Sequence, residues 1–440
     1  MSFSNLMLSQ KLQDTLTALG YTEPTQIQQR AIPQLRKGND IIATSQTGTG
    51  KTASFVLPIL ENIPEPEALK RGEERYKVDA LILVSTRELA LQIHNHIENY
   101  AKAFTHKSVA LYGGVKLGGQ INQIRAGANI IVSTPGRLLD HISNGTVNLS
   151  TVKMVIIDEA DKLLEMGFRD ELREIIAKLP KRRQSAMFSA TFPPNVIKLA
   201  KSLLNNPTVI EVDPSNIAAK EVKQVVHYVD QEQKAPLLSF LIGSQNWQQV
   251  LVFVNTKHQA DRLVEHLNLD GLKSLAIHGD KSQGIRNKAL QQFKEQQIRV
   301  LVATDVVARG IDIVNLPHVI NFELPLKNED YVHRIGRTGR AKQNGEALSL
   351  ICAKEVEQFR EIEKMINLTL PTITTEGFTY NPSAQASSKK TDKNKSDKNQ
   401  TLKKAKEIAE KIMKNTKDEP KRTNKKRKVT KRSPQNKRHF

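Results

Sequence analysis

Short apolar runs recur along the first half of the chain, and each is followed by a polar or glycine-rich turn and a stretch with helical spacing. Continuous apolar runs indicate strands that are buried on both faces, and their alternation with helices is typical of a parallel sheet. The pattern therefore predicts an α/β domain over residues 1–206. Its strand candidates are DIIAT, ALILVS, NIIVST, MVIIDEAD and SAMFSAT.

The alternation of apolar runs and helical stretches is interrupted near residue 205 and then resumes. Two prolines and several polar residues interrupt the apolar pattern, which predicts a linker over residues 207–222. A second alternation of apolar runs and helical stretches follows, and it predicts a second α/β domain over residues 223–375. The strand candidates here are VLVFVNT, SLAIHG, RVLVATD, HVINFEL and ALSLIC.

The last part of the chain has neither pattern, because large apolar residues become scarce after Tyr380. We expect residues 376–440 to form a largely disordered tail, since a segment of this composition cannot bury enough apolar surface to offset its chain entropy. Residues 381–440 hold 21 lysines and arginines against 6 acids, so +15 of the total net charge of +20 lies there. Such a tail favours binding to a polyanion, and a merely solvated tail is the alternative.

Composition also limits the class of protein. No apolar run approaches the roughly 18 residues of a membrane span, and the first residues do not have the pattern of a signal peptide, so we expect a soluble protein with no membrane partner. The single cysteine, Cys352, cannot form an internal disulfide, which suits a reducing compartment.

The stretch SQTGTGKT, residues 45–52, lies at a predicted strand-to-helix turn. It matches the phosphate-binding pattern G-x-x-x-x-G-K-[ST] except that Ser45 stands where the pattern has its first glycine. Glycines allow backbone N–H groups to face phosphate oxygens, Lys51 can neutralise the β- and γ-phosphates, and the Thr52 hydroxyl can bind Mg²⁺. The stretch predicts a nucleotide site, and a chance match is the alternative.

Two acids follow the strand candidate VII, within the stretch VIIDEAD. Ligands of parallel α/β sheets bind at the carboxyl ends of the strands. We therefore expect Asp158 to hold Mg²⁺, directly or through water, and Glu159 to orient and deprotonate the attacking water. A solvated acidic turn at the start of a helix is the alternative.

Arginines recur at three-residue spacing in YVHRIGRTGR, near the end of the second predicted domain. The spacing can bring Arg334, Arg337 and Arg340 to one place, where a guanidinium can stabilise charge on a γ-phosphoryl group. A basic surface turn is the alternative. A phosphate loop in one domain and arginines in the other predict a cleft that works only when it is closed.

These motifs, taken together and in their order along the chain, resemble those of the DEAD-box RNA helicases from Phe3 to about Leu370. The further stretches that carry the resemblance are GYTEPTQIQ, STRELA, TPGR, SAT, HGDKSQGIR and ATDVVARGID. The resemblance implies two RecA-like domains in tandem and an RNA-stimulated ATPase that uses ATP and Mg²⁺. It further implies local unwinding or remodelling of RNA and RNA–protein complexes without sequence specificity.

The same resemblance implies the nucleotide contacts. Gln28 would hydrogen-bond the adenine edge, Tyr21 would stack, and Arg337 and Arg340 would reach the γ-phosphate. The family commonly has alanine where Ser45 stands, so the missing glycine is a family trait. The implied nucleotide-binding residues are Phe3, Tyr21, Thr25, Gln28, Ser45, Gln46, Thr47, Gly48, Thr49, Gly50, Lys51, Thr52, Gly310 and Asp312.

Contacts to RNA and coupling between the two ligands are implied in the same way. The implied RNA-binding residues, which would hold the sugar-phosphate chain, are Arg87, Gly113, Gly114, Thr134, Pro135, Gly136, Arg137, Gly279, Arg286, Thr304 and Arg334. The implied coupling residues are Asp161, Ser189, Thr191 and His333. One departure concerns Ser85, which stands where the family pattern PTRELA has its proline.

Two alternatives to unwinding stay open at this stage: an ATP-gated RNA clamp, and an RNA chaperone that anneals strands through its tail. The stretch HGDKSQGIRNKALQQFK and the basic extension resemble the bacterial RhlE-type subgroup. That subgroup implies the cytoplasm, and ribosome biogenesis on ribosomal precursors or work with the RNA-degradation machinery. The run KRTNKKRKVTKR keeps the nucleus as an alternative location.

Overall fold

The computed structural model describes residues 2–44, 50–66, 77–211, 222–308, 316–338 and 345–382. These residues form two lobes, each built on a seven-stranded sheet whose neighbouring strands are all parallel. The prediction of two parallel α/β domains in tandem is confirmed. The predicted disordered tail lies almost entirely outside the described residues.

The first lobe has the strand order β3-β4-β2-β5-β6-β1-β7. Its strands are β1 (Ile41–Thr44), β2 (Ala80–Leu83), β3 (Ser108–Leu111), β4 (Ile130–Ser133), β5 (Met154–Ile157), β6 (Gln184–Ser189) and β7 (Thr208–Glu211). Its helices are α1 (Gln10–Ala18), α2 (Gln26–Arg36), α3 (Lys51–Asn62), α4 (Arg87–Tyr100), α5 (Leu117–Arg125), α6 (Pro135–Ser143), α7 (Ala160–Glu165), α8 (Arg169–Lys178) and α9 (Pro194–Leu203).

The second lobe has the corresponding order β10-β11-β9-β12-β13-β8-β14. Its strands are β8 (Lys223–Tyr228), β9 (Val250–Val254), β10 (Ser274–Ile277), β11 (Val300–Thr304), β12 (His318–Asn321), β13 (Glu346–Ile351) and β14 (Thr372–Ile373). Its helices are α10 (Lys234–Ser244), α11 (Lys257–Leu269), α12 (Gln283–Lys294), α13 (Asp305–Ala308), α14 (Asp330–Ile335) and α15 (Val356–Ile366).

Helices cover both faces of each sheet, which explains why the central strands are apolar throughout. In β2, Ala80 and Ile82 pack into one core of the first lobe, whereas Leu81 and Leu83 pack into the core on the other face. Because all strands of a sheet are parallel, their carboxyl ends lie along one edge, where an α/β sheet binds its ligands. The polar residues that follow β2, β5 and β6 therefore meet at one edge of the first lobe.

The observed boundaries differ from the predicted ones at the start of the linker and near the tail. Strand β7 pairs with β1 and buries Ile210, so the first lobe continues through the start of the predicted linker, residues 207–222. Residues 376–381 lie against the second lobe: the Tyr380 ring packs on Tyr228 with centroids 5.3 Å apart. The sequence alone does not show that these two short segments belong to the lobes, because each is held by a partner that is distant along the chain.

No helix in the described part of the chain is both long and apolar enough to cross a membrane.

Candidate functional site

The first part of the site is the start of α3. Lys51 is the first residue of this helix, and Gly50 before it has a φ of +88°, a left-handed conformation that favours glycine. The Lys51 ammonium lies 3.6 Å from the Asp158 carboxylate, and both side chains are buried. A helix N-terminus beside a lysine is a site for an anion such as a phosphate group.

Gln28 contacts this turn directly. Its amide nitrogen donates to the Gly50 carbonyl at 3.1 Å, and its amide oxygen accepts from the Thr25 backbone N–H at 2.9 Å. A Cβ atom at Gly50 would lie 2.5 Å from the Gln28 amide and would force that side chain to move. Gln28, which the resemblance assigns to adenine recognition, is therefore hydrogen-bonded to the residue immediately before α3.

Three aromatic side chains of the first lobe contact one another. The Phe3 and Tyr21 rings pack edge to face with centroids 6.2 Å apart. The Tyr21 hydroxyl lies 2.6 Å from that of Tyr100, and burial together with this contact raises the pKa of Tyr100. Tyr21 is half-buried, so part of its ring remains accessible for stacking.

The two acids lie at the end of β5. The Asp158 backbone N–H donates to the Leu83 carbonyl at 3.0 Å, which fixes this end of β5 beside β2. Burial raises the pKa of the Asp158 carboxyl above its usual value, against the opposing charge of Lys51. Glu159 is buried with a φ of +51°, an unfavourable conformation for a residue with a side chain and one that is found at functional sites.

A serine hydroxyl holds the second acid. The Ser85 hydroxyl donates to Oε2 of Glu159 at 2.9 Å, and both residues are buried.

The residues at this edge fit a hard cation such as Mg²⁺. A cation prefers oxygen ligands, and it would stabilise the charged form of the buried Asp158 carboxyl. Thr52, the second residue of α3, carries a hydroxyl of the kind that such an ion binds. Among the described residues, no group of three or more histidine, cysteine or acidic side chains could hold a metal alone. A bound ion would therefore complete its shell with phosphate oxygens and water.

The last acid of the VIIDEAD stretch connects β5 with β6. Asp161 accepts from the backbone N–H and the hydroxyl of Thr191, at 3.1 and 3.0 Å. The Asp161 backbone N–H donates to the Ser189 hydroxyl at 3.2 Å. The structure thus brings together Asp161, Ser189 and Thr191, three of the four residues that the resemblance assigns to coupling.

The first-lobe residues assigned to RNA follow β2, β3 and β4, and they lie in loops and in the first turns of α4 and α6. The Arg87 guanidinium lies so close to Gly114 that a Cβ there would be 2.2 Å from one of its nitrogens. Arg137 donates twice to the Val115 carbonyl, at 3.0 and 3.1 Å, and so holds the loop that contains Gly113 and Gly114. This loop and the turn Thr134–Pro135–Gly136, where α6 begins, are neighbours because β3 pairs with β4.

In the second lobe, Arg337 follows the end of α14 and is buried, and Thr304 ends β11. His333, on α14, lies 3.6 Å from Asp330 of the same helix. Gly279 follows β10, and Arg286 lies on α12.

The RNA-binding role predicted for Arg334 does not fit its position. Only 1% of Arg334 is exposed, and its guanidinium donates to both oxygens of Asp305 at 2.7 Å. It also donates to the Asn255 and Asn321 side chains and lies 5.0 Å from the centroid of the Phe253 ring. Arg334 therefore belongs to the core of the second lobe, where it lines a small cavity together with Arg337 and His333.

Three ion pairs between described residues join the lobes, and two of them place α7 beside the start of α14. The Glu165 carboxylate at the end of α7 lies 2.8 Å from the Lys327 ammonium, just before α14. The Lys162 ammonium, on α7, lies 3.1 Å from the Asp330 carboxylate at the start of α14. Arg286 pairs with Glu88 of α4, and both side chains are about 5% exposed. The acids at the start of α7 and the arginine at the end of α14 therefore belong to helices that contact each other across the cleft.

Sequence reasoning missed the contacts that join the lobes. Glu88, Lys162 and Asp330 were not predicted, although each is a charged residue within or beside a predicted motif. The predicted nucleotide contacts Ser45, Gln46, Thr47, Gly48, Thr49, Gly310 and Asp312, and the predicted γ-phosphate contact Arg340, lie outside the described residues.

Comparison with known proteins supports the same family. A family model described as DEAD/DEAH box helicase matches residues 25–199, and one described as helicase conserved C-terminal domain matches residues 233–342. The DEAD-box ATP-dependent RNA helicase RhpA of Helicobacter pylori is 39% identical over 366 residues, which cover 83% of this chain and 73% of that protein. The DEAD-box ATP-dependent RNA helicase CshA of Bacillus subtilis is 39% identical over 377 residues, which cover 84% of this chain and 75% of that protein.

Solved structures give the same result. Dbp5 of S. cerevisiae bound to RNA and ADP BeF3 matches with a TM-score of 0.76 and 31% identity, covering 85% of this chain and 96% of that chain. The DEAD-box helicase Mss116 bound to single-stranded RNA and UDP-BeF matches with a TM-score of 0.74 and 28% identity, covering 86% of this chain and 80% of that chain.

Proposed function

The chain belongs to the family of DEAD-box ATP-dependent RNA helicases, and we propose that it couples ATP binding and hydrolysis to the local separation or remodelling of RNA. The single observation that carries this proposal is the contact between α7 and α14. It brings the lobe with Lys51, Asp158 and Glu159 against the helix that precedes Arg337. A nucleotide bound at α3 would therefore have groups from both lobes around its γ-phosphate.

The chemistry follows from the position of each group. Lys51, at the start of α3, neutralises the phosphates, and Glu159 takes the proton from the attacking water. Arg337 and Arg340 stabilise the charge that develops on the transferred phosphoryl group. Mg²⁺, held by Asp158 and Thr52, would neutralise phosphate charge when it is bound.

The residues proposed to hold RNA lie at a strand end, in loops and in the first turns of helices, and they include several glycines, which suits recognition of the sugar-phosphate chain. Backbone N–H groups and arginine side chains can grip phosphates without reading base edges, so we expect little sequence specificity. The first-lobe residues are Arg87, Gly113, Gly114, Thr134, Pro135, Gly136 and Arg137, and the second-lobe residues are Gly279, Arg286 and Thr304. Both lobes would hold one strand, so closure of the cleft bends that strand and separates its partner.

An unwinding assay tests this function. With ATP and Mg²⁺, the protein is expected to separate a short RNA duplex, and Lys51→Ala is expected to reduce the rate by about 10²- to 10³-fold because the variant lacks a group that stabilises transition-state charge. Lys178→Ala is the matched control, since Lys178 lies on the same lobe and pairs with the exposed Glu174 of its own helix. Strand separation by Lys51→Ala at the wild-type rate would contradict the proposal. Annealing of complementary strands that survives Lys51→Ala would instead favour the tail-driven chaperone.

The basic tail gives a separate prediction. Deletion of residues 381–440 is expected to weaken RNA binding and to flatten its dependence on salt, by about 0.7 in the logarithmic slope for each phosphate that the tail neutralises in the full chain. The control replaces the lysines and arginines of residues 421–432 by serine, which keeps the length of the tail and lowers its charge. Filter binding at several salt concentrations measures the RNA affinity of each variant and the dependence of that affinity on salt. An unchanged slope in the deletion variant would show that the tail does not neutralise RNA phosphates.

We further propose that the protein is of the RhlE-type and works in the cytoplasm on ribosomal precursors or with the RNA-degradation machinery. The support is the sequence around Arg286 and the basic extension. An ATP-gated clamp is the second candidate, favoured by the ion pairs that hold the lobes together. A slow release from RNA with ATP bound and little strand separation would support the clamp.

A further inference from the structure

Ser85 lies between the strand β2 and the helix α4, at the edge of the sheet where the catalytic acids lie. It is 2% exposed. Strands β2 and β5 are neighbours with Leu83 opposite Ile157, so the residues that follow each strand lie side by side. This register places the Ser85 hydroxyl 2.9 Å from Oε2 of Glu159, to which it donates a hydrogen bond.

This hydrogen bond is a departure from the pattern that the chain otherwise resembles. That pattern has proline where Ser85 stands, and a proline ring has neither a hydroxyl nor a backbone N–H to donate. A donor at this position is therefore a property of this sequence.

We propose that Ser85 is a positioning residue for Glu159, an inference that rests on the proposed role of Glu159 as the base. A glutamate side chain has three rotatable bonds, and a general base must hold its oxygen within hydrogen-bonding reach of the water. The backbone of Glu159 is fixed in the left-handed region, and the Ser85 hydroxyl fixes the other end of the side chain through Oε2. Oε1 is then the oxygen that takes the proton.

The residues after Ser85 connect this hydrogen bond to RNA and to the second lobe. The Thr86 hydroxyl caps α4 by accepting from the Leu89 backbone N–H at 3.2 Å. Arg87 lies against Gly114 in the RNA-facing loops, and Glu88 pairs with Arg286 of the second lobe. A displacement of this segment by RNA or by closure of the lobes would move the donor of Glu159. Ser85 therefore acts on the hydrolysis step in the closed, RNA-bound state.

Steady-state ATP hydrolysis at saturating RNA tests the proposal. Ser85→Ala is expected to lower kcat about tenfold, a typical effect of removing one hydrogen bond to a charged group, with KM for ATP and the affinity for RNA within about twofold of wild type. Ser85→Thr keeps a hydroxyl and is expected to restore most of kcat. Ser185→Ala is the control, because Ser185 is a serine of the same sheet, 1% exposed, at the opposite end of β6. It is expected to leave kcat unchanged.

A second comparison keeps the proposal testable even if threonine does not fit the site. Glu159→Asp shortens the side chain by one methylene and withdraws the carboxylate from Ser85. In that background, Ser85→Ala is expected to lower kcat by less than about twofold, because interacting residues give non-additive effects.

Three outcomes would overturn the inference: an unchanged kcat in Ser85→Ala, an equal loss of kcat in both backgrounds, or a parallel loss of nucleotide and RNA affinity. ATP hydrolysis by Glu159→Gln at the wild-type rate would be a different failure. It would show that Glu159 is not the general base, and so would contradict the proposed function itself.

Discussion

Glu159→Gln is expected to lower RNA-stimulated ATP hydrolysis by about 10²- to 10⁴-fold, the contribution that a general base makes to a proton transfer. Glutamine has the shape of glutamate, and its amide oxygen can still accept from the Ser85 hydroxyl, so the fold and the cleft should be retained. An amide cannot take a proton from water at neutral pH. The variant should therefore bind ATP and RNA and remain on the RNA without turning over.

Single-turnover hydrolysis at saturating ATP and RNA measures this decrease, and filter binding measures the retained affinities. Glu174→Gln is the matched control, because Glu174 is an exposed acid on α8 of the same lobe. It should hydrolyse ATP at the wild-type rate. A rate for Glu159→Gln within about tenfold of wild type would mean that another group accepts the proton.

Arg334→Ala is expected to destabilise the second lobe by about 3 to 5 kcal/mol, the usual cost of removing one partner of a buried ion pair. The substitution leaves the Asp305 carboxylate without the two hydrogen bonds that it accepts at 2.7 Å. It also removes the donor to Asn255 and Asn321 and the cation that lies over the Phe253 ring.

The fluorescence of a single tryptophan can measure this loss of stability. Trp247 is the single tryptophan, and its ring stacks on His318 of the second lobe with centroids 4.3 Å apart. Its fluorescence in urea therefore reports the unfolding of the second lobe alone. Arg360→Ala, on the exposed face of α15, is the control and should leave this transition within about 0.5 kcal/mol of wild type.

Arg337→Ala is expected to affect catalysis and not the stability of the second lobe. Arg337 follows the end of α14, whereas Arg334 lies within that helix. The main effect of Arg337→Ala is expected on ATP hydrolysis, by about 10³-fold or more, as for an arginine that stabilises the transition state of phosphoryl transfer. A stable second lobe in Arg334→Ala together with a loss of RNA affinity would contradict the structural role of Arg334 and restore its assignment to RNA.

The sequence predicted the two parallel sheets well, because a strand buried on both faces must be apolar throughout. The motif residues at the strand ends were found for the same reason: Asp158 follows an apolar run, and the parallel arrangement places such ends together. The apolar pattern does not predict the strand β7, because only Ile210 of this short edge strand is buried.

The spacing of the arginines could not show that Arg334 is buried, because its partners Asp305 and Asn255 lie 29 and 79 residues away along the chain. Although α14 ends at Ile335, just before Gly336, Arg334 and Arg337 line the same small cavity. The lobe contacts could not be predicted, because Lys162 and Asp330 are 168 residues apart and Glu88 and Arg286 are 198 apart. The Ser85–Glu159 hydrogen bond spans 74 residues and depends on the register of β2 with β5.

The central claim is that the ATP site is completed by the second lobe when RNA is bound, so that hydrolysis depends on RNA. Steady-state ATP hydrolysis tests it most directly, measured without nucleic acid, with RNA and with single-stranded DNA of the same sequence, on the wild type and on Arg337→Ala. The account predicts strong stimulation by RNA, little by DNA, and none in the variant. Equal rates under the three conditions would mean that the nucleotide site and the RNA surface are uncoupled, and would contradict the account.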